Sequence, residues 1–189
     1  MPTYEDKITN ILISSVNITT TTNAIYINPL ADFAPLGSAD PSLKLEPTPG
    51  NETAETTRFT RYILLAYTSQ PKNVFVTVGI GGIGHIYVDS VTGPTHYYKA
   101  YAKLVKTKDF TTFTDVTGEV TIMNYSRGSV STAGWYDEGT IGGSLRAKTL
   151  LNDEALLLLL RGTSWVSGTV KSSIGINSTN LKVFAVVLA

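Results

Sequence analysis

The chain has 189 residues, of which 42% are hydrophobic and 16% charged, and its 15 basic residues balance its 15 acidic ones. This length and composition predict one globular domain rather than a disordered chain. The absence of cysteine excludes disulfide scaffolds, zinc fingers, iron–sulfur sites and cysteine nucleophiles. Because the net charge is zero, the whole molecule lacks the positive field of a dedicated nucleic-acid binder, although a single basic face could still contact nucleic acid.

Two observations concern the cellular localisation of the chain. Residues 1–7 lack the basic and apolar regions of a secretory signal. The longest apolar run, residues 155–160, is far shorter than the roughly 20 residues of a membrane-spanning helix. We therefore expect synthesis in the cytoplasm, no export by the general pathway and no transmembrane segment.

The pattern of apolar residues predicts strands along almost the whole chain. Threonine and tyrosine, which favour strands, are abundant, and apolar residues recur mostly with period two or in short runs. Segments rich in glycine, proline and asparagine separate these runs, as in an antiparallel β-sandwich or barrel. The predicted strands are residues 8–20, 24–28, 58–68, 73–80, 84–89, 95–106, 110–114, 119–125, 145–150, 155–161, 165–171 and 181–188.

One long segment does not follow the strand pattern. Residues 29–57 contain prolines at positions 29, 35, 41, 47 and 49 and few strand formers. Proline fixes φ and removes a backbone donor, so we expect an extended loop or arm that crosses the surface of the single domain. A loop of this length in a compact domain is typically functional or ordered by a partner.

Two apolar segments near the C-terminus carry further predictions. Residues 150–162 fit either a helix that begins at Asn152 or a hairpin that turns at Asn152–Asp153 into a strand buried on both faces. The alternating segments around them favour the strand. Residues 181–189 are apolar on both faces, so we expect that strand to be central in a sheet or covered by another subunit.

A glycine motif and two histidines are the strongest candidates for a cofactor or metal site. Residues 79–84 fit G-x-G-x-x-G after an apolar strand, but a dinucleotide site needs a helix there, and a strand and turn follow instead. We therefore predict a glycine-rich hairpin or bulge and no cofactor. His85 and His96 could face each other across a hairpin and bind a metal with Asp89, but the more common role of histidine is hydrogen bonding. We expect no metal and no catalytic residue.

One face of the predicted strand 95–106 alternates tyrosine with lysine. Tyr97, Lys99, Tyr101 and Lys103 would point the same way, because alternate residues of a strand share a face. Such a face is either an ordinary solvent-exposed surface or a contact surface for nucleic acid, glycan or another subunit. The zero net charge gives the nucleic-acid hypothesis no support.

Large aromatic residues occur in a glycine-rich segment and in an apolar strand. Trp135 and Tyr136 lie within residues 128–143, where we predict a loop tip that presents both rings. Rings on loops are favoured as interface anchors or sugar platforms. Trp165 lies within an apolar strand, for which core packing is expected.

In size, strand pattern and composition, over about its whole length, the chain resembles the small single-jelly-roll capsid proteins of tailless icosahedral viruses, including those of hyperthermophilic archaea. The resemblance implies eight principal strands in two facing sheets, with loops and termini that contact neighbouring capsid subunits. It involves no diagnostic motif, so no site residue is taken from it.

These observations predict a non-enzymatic structural subunit of a virus capsid, located in the virion and partnered by copies of itself and by other virion proteins. Two alternatives remain open. One is a carbohydrate-binding or receptor-binding fibre module that uses Trp135, Tyr136 and the face with Tyr97 and Tyr101. The other is an extracellular filament subunit in which an N-terminal strand completes the sheet of a neighbour.

Overall fold

The computed structural model describes residues 47–68, 70–89, 94–109, 111–166 and 170–188, together with the backbone of three short N-terminal strands. In the last range, side chains are described for residues 170–175, 181, 183 and 185. The strands are β1 (Ser15–Thr19), β2 (Ile25–Ile27), β3 (Ala34–Pro35), β4 (Thr56–Thr68), β5 (Lys72–Val88), β6 (His96–Thr107), β7 (Thr114–Asp115), β8 (Val120–Arg127), β9 (Gly134–Leu151), β10 (Glu154–Val166) and β11 (Ser172–Leu188).

The strands form two antiparallel sheets with jelly-roll connectivity. The first sheet has the order β1-β11-β5-β9, and the second has the core order β4-β10-β6-β8, extended by β2 and β3 beyond β4 and by β7 beside β6. Among the eight principal strands, the first pairs with the eighth, the second with the seventh, the third with the sixth and the fourth with the fifth. This is the pairing of a long hairpin rolled into a double-sheet jelly roll. The predicted all-β antiparallel sandwich is confirmed.

The core lies between the sheets and is built by alternate residues of the long strands. Apolar side chains of both inner faces form one buried cluster, with members such as Ile63, Val76, Val78, Leu104 and Leu158. A second cluster lies on the opposite face of the second sheet and contains Tyr62, Leu64, Val105, Ala155, Leu157 and Leu159. Strand β10 is therefore buried on both faces, as a central strand between two apolar layers must be.

The segment around residues 150–162 is a hairpin, as predicted. Strands β9 and β10 are joined by Asn152 and Asp153, and Asp153 has a φ of 52°, in the left-handed region that aspartate tolerates in turns.

No helix in the described part of the chain is long and apolar enough to cross a membrane. Strand β11 is central, since it lies between β1 and β5, which agrees with the prediction for residues 181–188.

Three predicted strand breaks are absent because pairing continues through glycine. Strand β5 runs through the whole motif 79–84, with a register shift against β9 between Ile83 and His85, so this motif is a bulge and not a hairpin. Strand β9 begins at Gly134, far before the predicted start at residue 145. Strand β10 continues past the predicted end at residue 161 to Val166; of the predicted strand 165–171 it contains only the first two residues, 167–169 lie outside the described residues, and 170 and 171 are not in a strand. Pairing with long neighbouring strands, on both sides of β5 and β10 and on one side of β9, overrides the weak strand propensity of these glycines.

Other predicted segments agree only in part with the structure. Of the predicted strand 110–114, residue 110 lies outside the described residues and 111–113 are not in a strand; Asp109 Oδ1 accepts hydrogen bonds there from the backbone N–H groups of Thr111 (2.9 Å) and Thr112 (2.7 Å). The predicted strands at 8–20 and 24–28 contain β1 and β2, and their remaining residues lie outside the described ones.

The described part of the predicted arm 29–57 is attached to its own domain. Residues 28–33 and 36–46 lie outside the described residues, and 47–55 contain no strand. Gly50 exchanges two backbone hydrogen bonds with Ser172, at 3.3 and 3.1 Å, and the carbonyl of Glu52 accepts one from Val166 at 2.9 Å. Residues 47–55 therefore cross the sandwich as an extended segment held by backbone pairing.

Candidate functional site

The tyrosine and lysine side chains predicted to share one face do so in the structure. Tyr97, Lys99, Tyr101 and Lys103 are half-buried on the outer face of β6. The residues between them (Tyr98, Ala100, Ala102 and Leu104) are buried in the core. We refer to the outward residues 97, 99, 101 and 103 as the β6 outer face.

Near the N-terminal end of β6, two aromatic rings are stacked on the β6 outer face. Tyr97 pairs in register with Trp165 of β10, and their rings are stacked with centroids 5.0 Å apart and planes 12° apart. Lys99 Nζ lies 5.0 Å from the centroid of the Trp165 ring. The expectation that Trp165 packs in the core is wrong, because its position in the register of β10 places it on the outer face beside Tyr97.

A carboxylate from the segment before β4 joins this face to β10. Glu55 accepts hydrogen bonds from Tyr101 Oη at 2.5 Å, Thr163 Oγ1 at 2.9 Å and Lys99 Nζ at 3.2 Å. Desolvation raises the pKa of Glu55, but these three hydrogen bonds and the Lys99 charge outweigh it and lower the pKa overall. Sequence reasoning missed Glu55, because its partners are 44 to 108 residues away along the chain.

The remaining cations of this face are also paired. The guanidinium of Arg161 lies 4.3 Å from the centroid of the Tyr101 ring and binds both carboxylate oxygens of Glu119, at 3.0 and 2.6 Å. Lys103 Nζ lies 2.7 Å from Asp115 Oδ1. Lysines 99 and 103 and Arg161 therefore each have a carboxylate partner within the chain. The affinity of a protein for nucleic acid comes largely from lysine and arginine side chains that neutralise phosphates. On this face, the phosphates would have to displace the carboxylates that already bind these side chains.

Trp135 lies in a strand and not on a loop tip. Strand β5 extends to Val88, so β9 pairs with it from residue 134 onward, and Trp135 is in register with Tyr87. The Trp135 ring stacks on His85 at 4.7 Å with planes 8° apart and meets the edge of Tyr87 at 5.6 Å. The predicted loop tip is therefore wrong, since residues 134–143 continue β9.

Tyr136 belongs to the opposite side of the same strand. It packs against the core cluster, and its hydroxyl donates a hydrogen bond of 2.5 Å to the carbonyl of Thr132. The guanidinium of Arg127 lies 5.1 Å from its ring centroid and is also ion paired to Glu138. His85 covers one face of the Trp135 ring and Arg127 lies over one face of the Tyr136 ring, and a sugar platform would have to use the other face of either ring.

The two histidines do not form the predicted pair. His85 lies in β5 of the first sheet and His96 in β6 of the second, so they do not face each other across a hairpin. His85 Nδ1 lies 2.7 Å from Oδ1 of Asp137, its register partner on β9. Within the described residues, no group of three or more histidine, aspartate or glutamate side chains is arranged to hold a metal ion.

The outer face of the first sheet carries an apolar patch that sequence reasoning missed. Phe75 is 52% exposed and Leu150 is 51% exposed. Phe75 pairs with Lys148, and Leu150 follows two residues later on the same side of β9, so the two apolar side chains are diagonal neighbours. Further along this face, glycines 79, 81 and 142 have open space where a side chain would stand.

Strand β9 also ends the first sheet. It has 18 residues and pairs with β5 on one side, and no described strand pairs with its other side. A long edge strand offers backbone donors and acceptors to another chain. The Phe75–Leu150 patch and the β9 edge lie together on the first sheet and form a candidate association surface.

Comparison with known proteins identified no relative of this chain. No protein-family profile matches the sequence, no curated protein is significantly similar to it, and no solved structure matches its fold significantly.

Proposed function

We propose that this chain is a non-enzymatic structural subunit of a virus capsid that assembles with copies of itself and with other virion proteins. The observation that carries the proposal is the jelly-roll pairing of the eight principal strands, which the sequence resemblance implied. A fold alone does not define a function, so the proposal also depends on how the surface is built.

The polar surface of the second sheet supports a structural role over ligand chemistry. On the β6 outer face, the lysines at 99 and 103 and the neighbouring Arg161 bond to carboxylates of the same chain. Groups satisfied in this way stabilise the subunit and leave little unpaired charge for a substrate or a phosphate backbone. The predicted contacts of Tyr97, Lys99, Tyr101 and Lys103 with a neighbour would therefore depend on shape more than on charge.

On the first sheet, association with a partner would bury exposed apolar area and pair an open strand edge. Burial of Phe75 and Leu150, both half-exposed, would contribute about 25 cal/mol for each Å² of apolar area removed from water. The β9 edge adds backbone hydrogen bonds, and an antiparallel edge is complementary to itself across a two-fold axis. Many weak contacts of this kind suffice in a closed shell, because they act together.

The test is the assembly state of the intact chain. We expect light scattering after size exclusion to show growth in mass with concentration, and electron microscopy to show closed particles of uniform size. Filaments would instead support the alternative of an extracellular filament subunit. A monomer at all concentrations would contradict the proposal, and a monomer that binds glycans and loses them on Trp135→Ala would support the carbohydrate-binding module.

A matched pair of variants locates the contact. Phe75→Ser with Leu150→Ser should raise the concentration needed for assembly at least tenfold, because both exposed side chains lose their apolar surface. Ile83→Ser, an exposed position at the other end of the same strand, is the control for general surface polarity. Far-UV circular dichroism of the unassembled variants confirms that they fold. An equal effect of the control, or no effect of the double variant, would contradict the assignment of this patch.

A further inference from the structure

A buried histidine without a hydrogen-bond partner begins strand β6. His96 is 0% exposed, and among the described residues no protein group bonds its Nδ1 or its Nε2. Its ring is nearly parallel to that of Tyr98, with centroids 6.4 Å apart and planes 5° apart. A buried polar group without a partner is rare and costs stability, so its presence needs a physical explanation.

The neighbouring charged groups leave His96 without a bound counter-ion. Asp89, just after β5, is the carboxylate that acts on it, and Asp89 Oδ2 accepts the backbone N–H of Lys171 at 3.1 Å. On β8 the register partner of His96 is Arg127, which is ion paired to Glu138.

The other elements around His96 contribute neutral groups. Tyr98 on the same strand donates its hydroxyl to the carbonyl of Tyr87 at 2.7 Å. Tyr125 of β8 packs its ring 6.3 Å from that of Tyr98, and β11 presents the uncharged Ser172 to Tyr98. Strand β10 places Val166 in register with His96. None of these groups offers a negative charge to an imidazolium.

This setting tolerates a neutral imidazole far better than a charged one. A charged ring would be buried with two N–H donors and no described acceptor for either. Desolvation accordingly lowers the pKa of His96 from its usual value of 6.5, and the Asp89 carboxylate offsets part of that shift.

We propose that His96 is an acid-sensitive switch of the sandwich: the packed start of β6 excludes the imidazolium, and acidification opens this end of the two sheets to admit it. This inference does not depend on the proposed capsid function. The open state binds one proton more than the closed state between the usual pKa of histidine and the lowered pKa of His96. The equilibrium constant for opening therefore rises by up to tenfold for each unit that the pH falls below about 6.5.

The switch lies where opening would loosen several strands together. His96 is in register with both β8 and β10. Its neighbour Asp89 is hydrogen bonded to Lys171, just before β11. Protonation at this point would therefore separate β6 from its neighbours at one end of the sandwich while the opposite end stays packed.

The experiment compares urea unfolding of the full chain between pH 8 and pH 5. The chain has only two histidines, so His96→Phe removes the proposed switch and His85→Gln is the matched control. Phenylalanine keeps the ring contact with Tyr98 and cannot be protonated. We expect the wild type and His85→Gln to lose stability below pH 6.5 by up to tenfold per pH unit in the unfolding constant. His96→Phe should lack this part of the pH dependence.

A second measurement keeps the proposal testable if His96→Phe does not fold. The ring resonances of the two histidines are followed by NMR through the same pH range in the wild type, with His85→Gln for assignment. We expect the His96 resonance of the folded state to stay that of a neutral ring down to the pH at which the end opens. A native His96 resonance that titrates near pH 6.5 would overturn the proposal, as would a folded His96→Phe variant with an unchanged pH dependence.

Discussion

The replacement of Gly162 by alanine should destabilise the sandwich, because the ring of Phe59 occupies the space that a side chain would need. Gly162 is a buried residue of β10 and is in register with Phe59 of β4. An alanine Cβ would lie 2.1 Å from Cε1 and 2.6 Å from Cζ of that ring. Since carbon atoms pack at roughly 3.5 Å or more, the ring would have to move by more than an ångström within the core.

The expected cost follows from the way packed interiors respond to added volume. Overpacking of this kind costs about 1–3 kcal/mol, and a chain of this size loses roughly 2–4 °C in Tm for each kcal/mol. Urea unfolding followed by far-UV circular dichroism gives the free energy of unfolding. The double variant Gly162→Ala/Phe59→Leu should lose less than the sum of the single variants, because the shorter side chain frees the space above residue 162.

Gly79→Ala is the matched control for this prediction. Gly79 also lies in a central strand, but nothing stands within 4 Å of the position that a Cβ would take. We expect the free energy of unfolding to be unchanged or to rise by up to about 1 kcal/mol, because alanine restricts the unfolded chain. Equal destabilisation by both alanines, or a Gly162→Ala variant as stable as the wild type, would refute the packing argument.

Three further predictions follow from the same structure. Glu55→Gln should lower the free energy of unfolding by about 1 kcal/mol or less at neutral pH. Because folding lowers the pKa of Glu55, its contribution to stability is complete above the usual pKa of 4.5 and is lost as the pH falls below that value. Urea unfolding at a series of pH values measures this loss. Asp153→Ala should be about 1 kcal/mol less stable than Asp153→Gly in thermal unfolding, because the turn holds φ at 52°. Deletion of residues 29–57 as a unit should lower the free energy of unfolding measured in urea, since 47–55 is bonded to Val166 and Ser172. A deletion confined to 36–46 keeps those bonds and is the control.

Strand identity was predictable from the sequence wherever local alternation was strong. Residues 95–106 were predicted as a strand because apolar side chains alternate there, and burial alternates in the same way. Residues 155–161 are an apolar run that also fitted a helix, and the alternating segments around them favoured the strand that the structure buries on both faces. The misjudged stretch 134–143 is rich in glycine, and so is 79–84, where the predicted bulge is confirmed and the alternative hairpin is wrong. There the local sequence has weak strand propensity, and pairing with a long neighbouring strand decides the outcome.

The candidate site was less predictable than the fold, because its contacts join distant parts of the chain. Tyr97 and Lys99 were chosen from local pattern alone, but their environment is made by Trp165 and Glu55. Which residues face each other depends on the register between β6 and β10, and a shift of one residue would turn every side chain to the other face. That register is set by the whole sandwich and has no local signature in the sequence.

The two outer faces of the sandwich differ in how their charges are satisfied, and this difference bears on which face meets a neighbour. On the second sheet, Lys103 and Arg161 bind carboxylates of their own chain. On the first sheet, Arg146 and Lys148 form no ion pair with a described residue, and Lys148 Nζ lies 5.1 Å from the ring centroid of the half-exposed Phe75. A partner that covers the second sheet must compete with contacts already made, whereas one that covers the first sheet buries apolar surface and can add carboxylates to unpaired cations. An assembly contact on the first sheet should therefore be both hydrophobic and weakened by salt, which the midpoint concentration for assembly measured at low and high ionic strength would reveal.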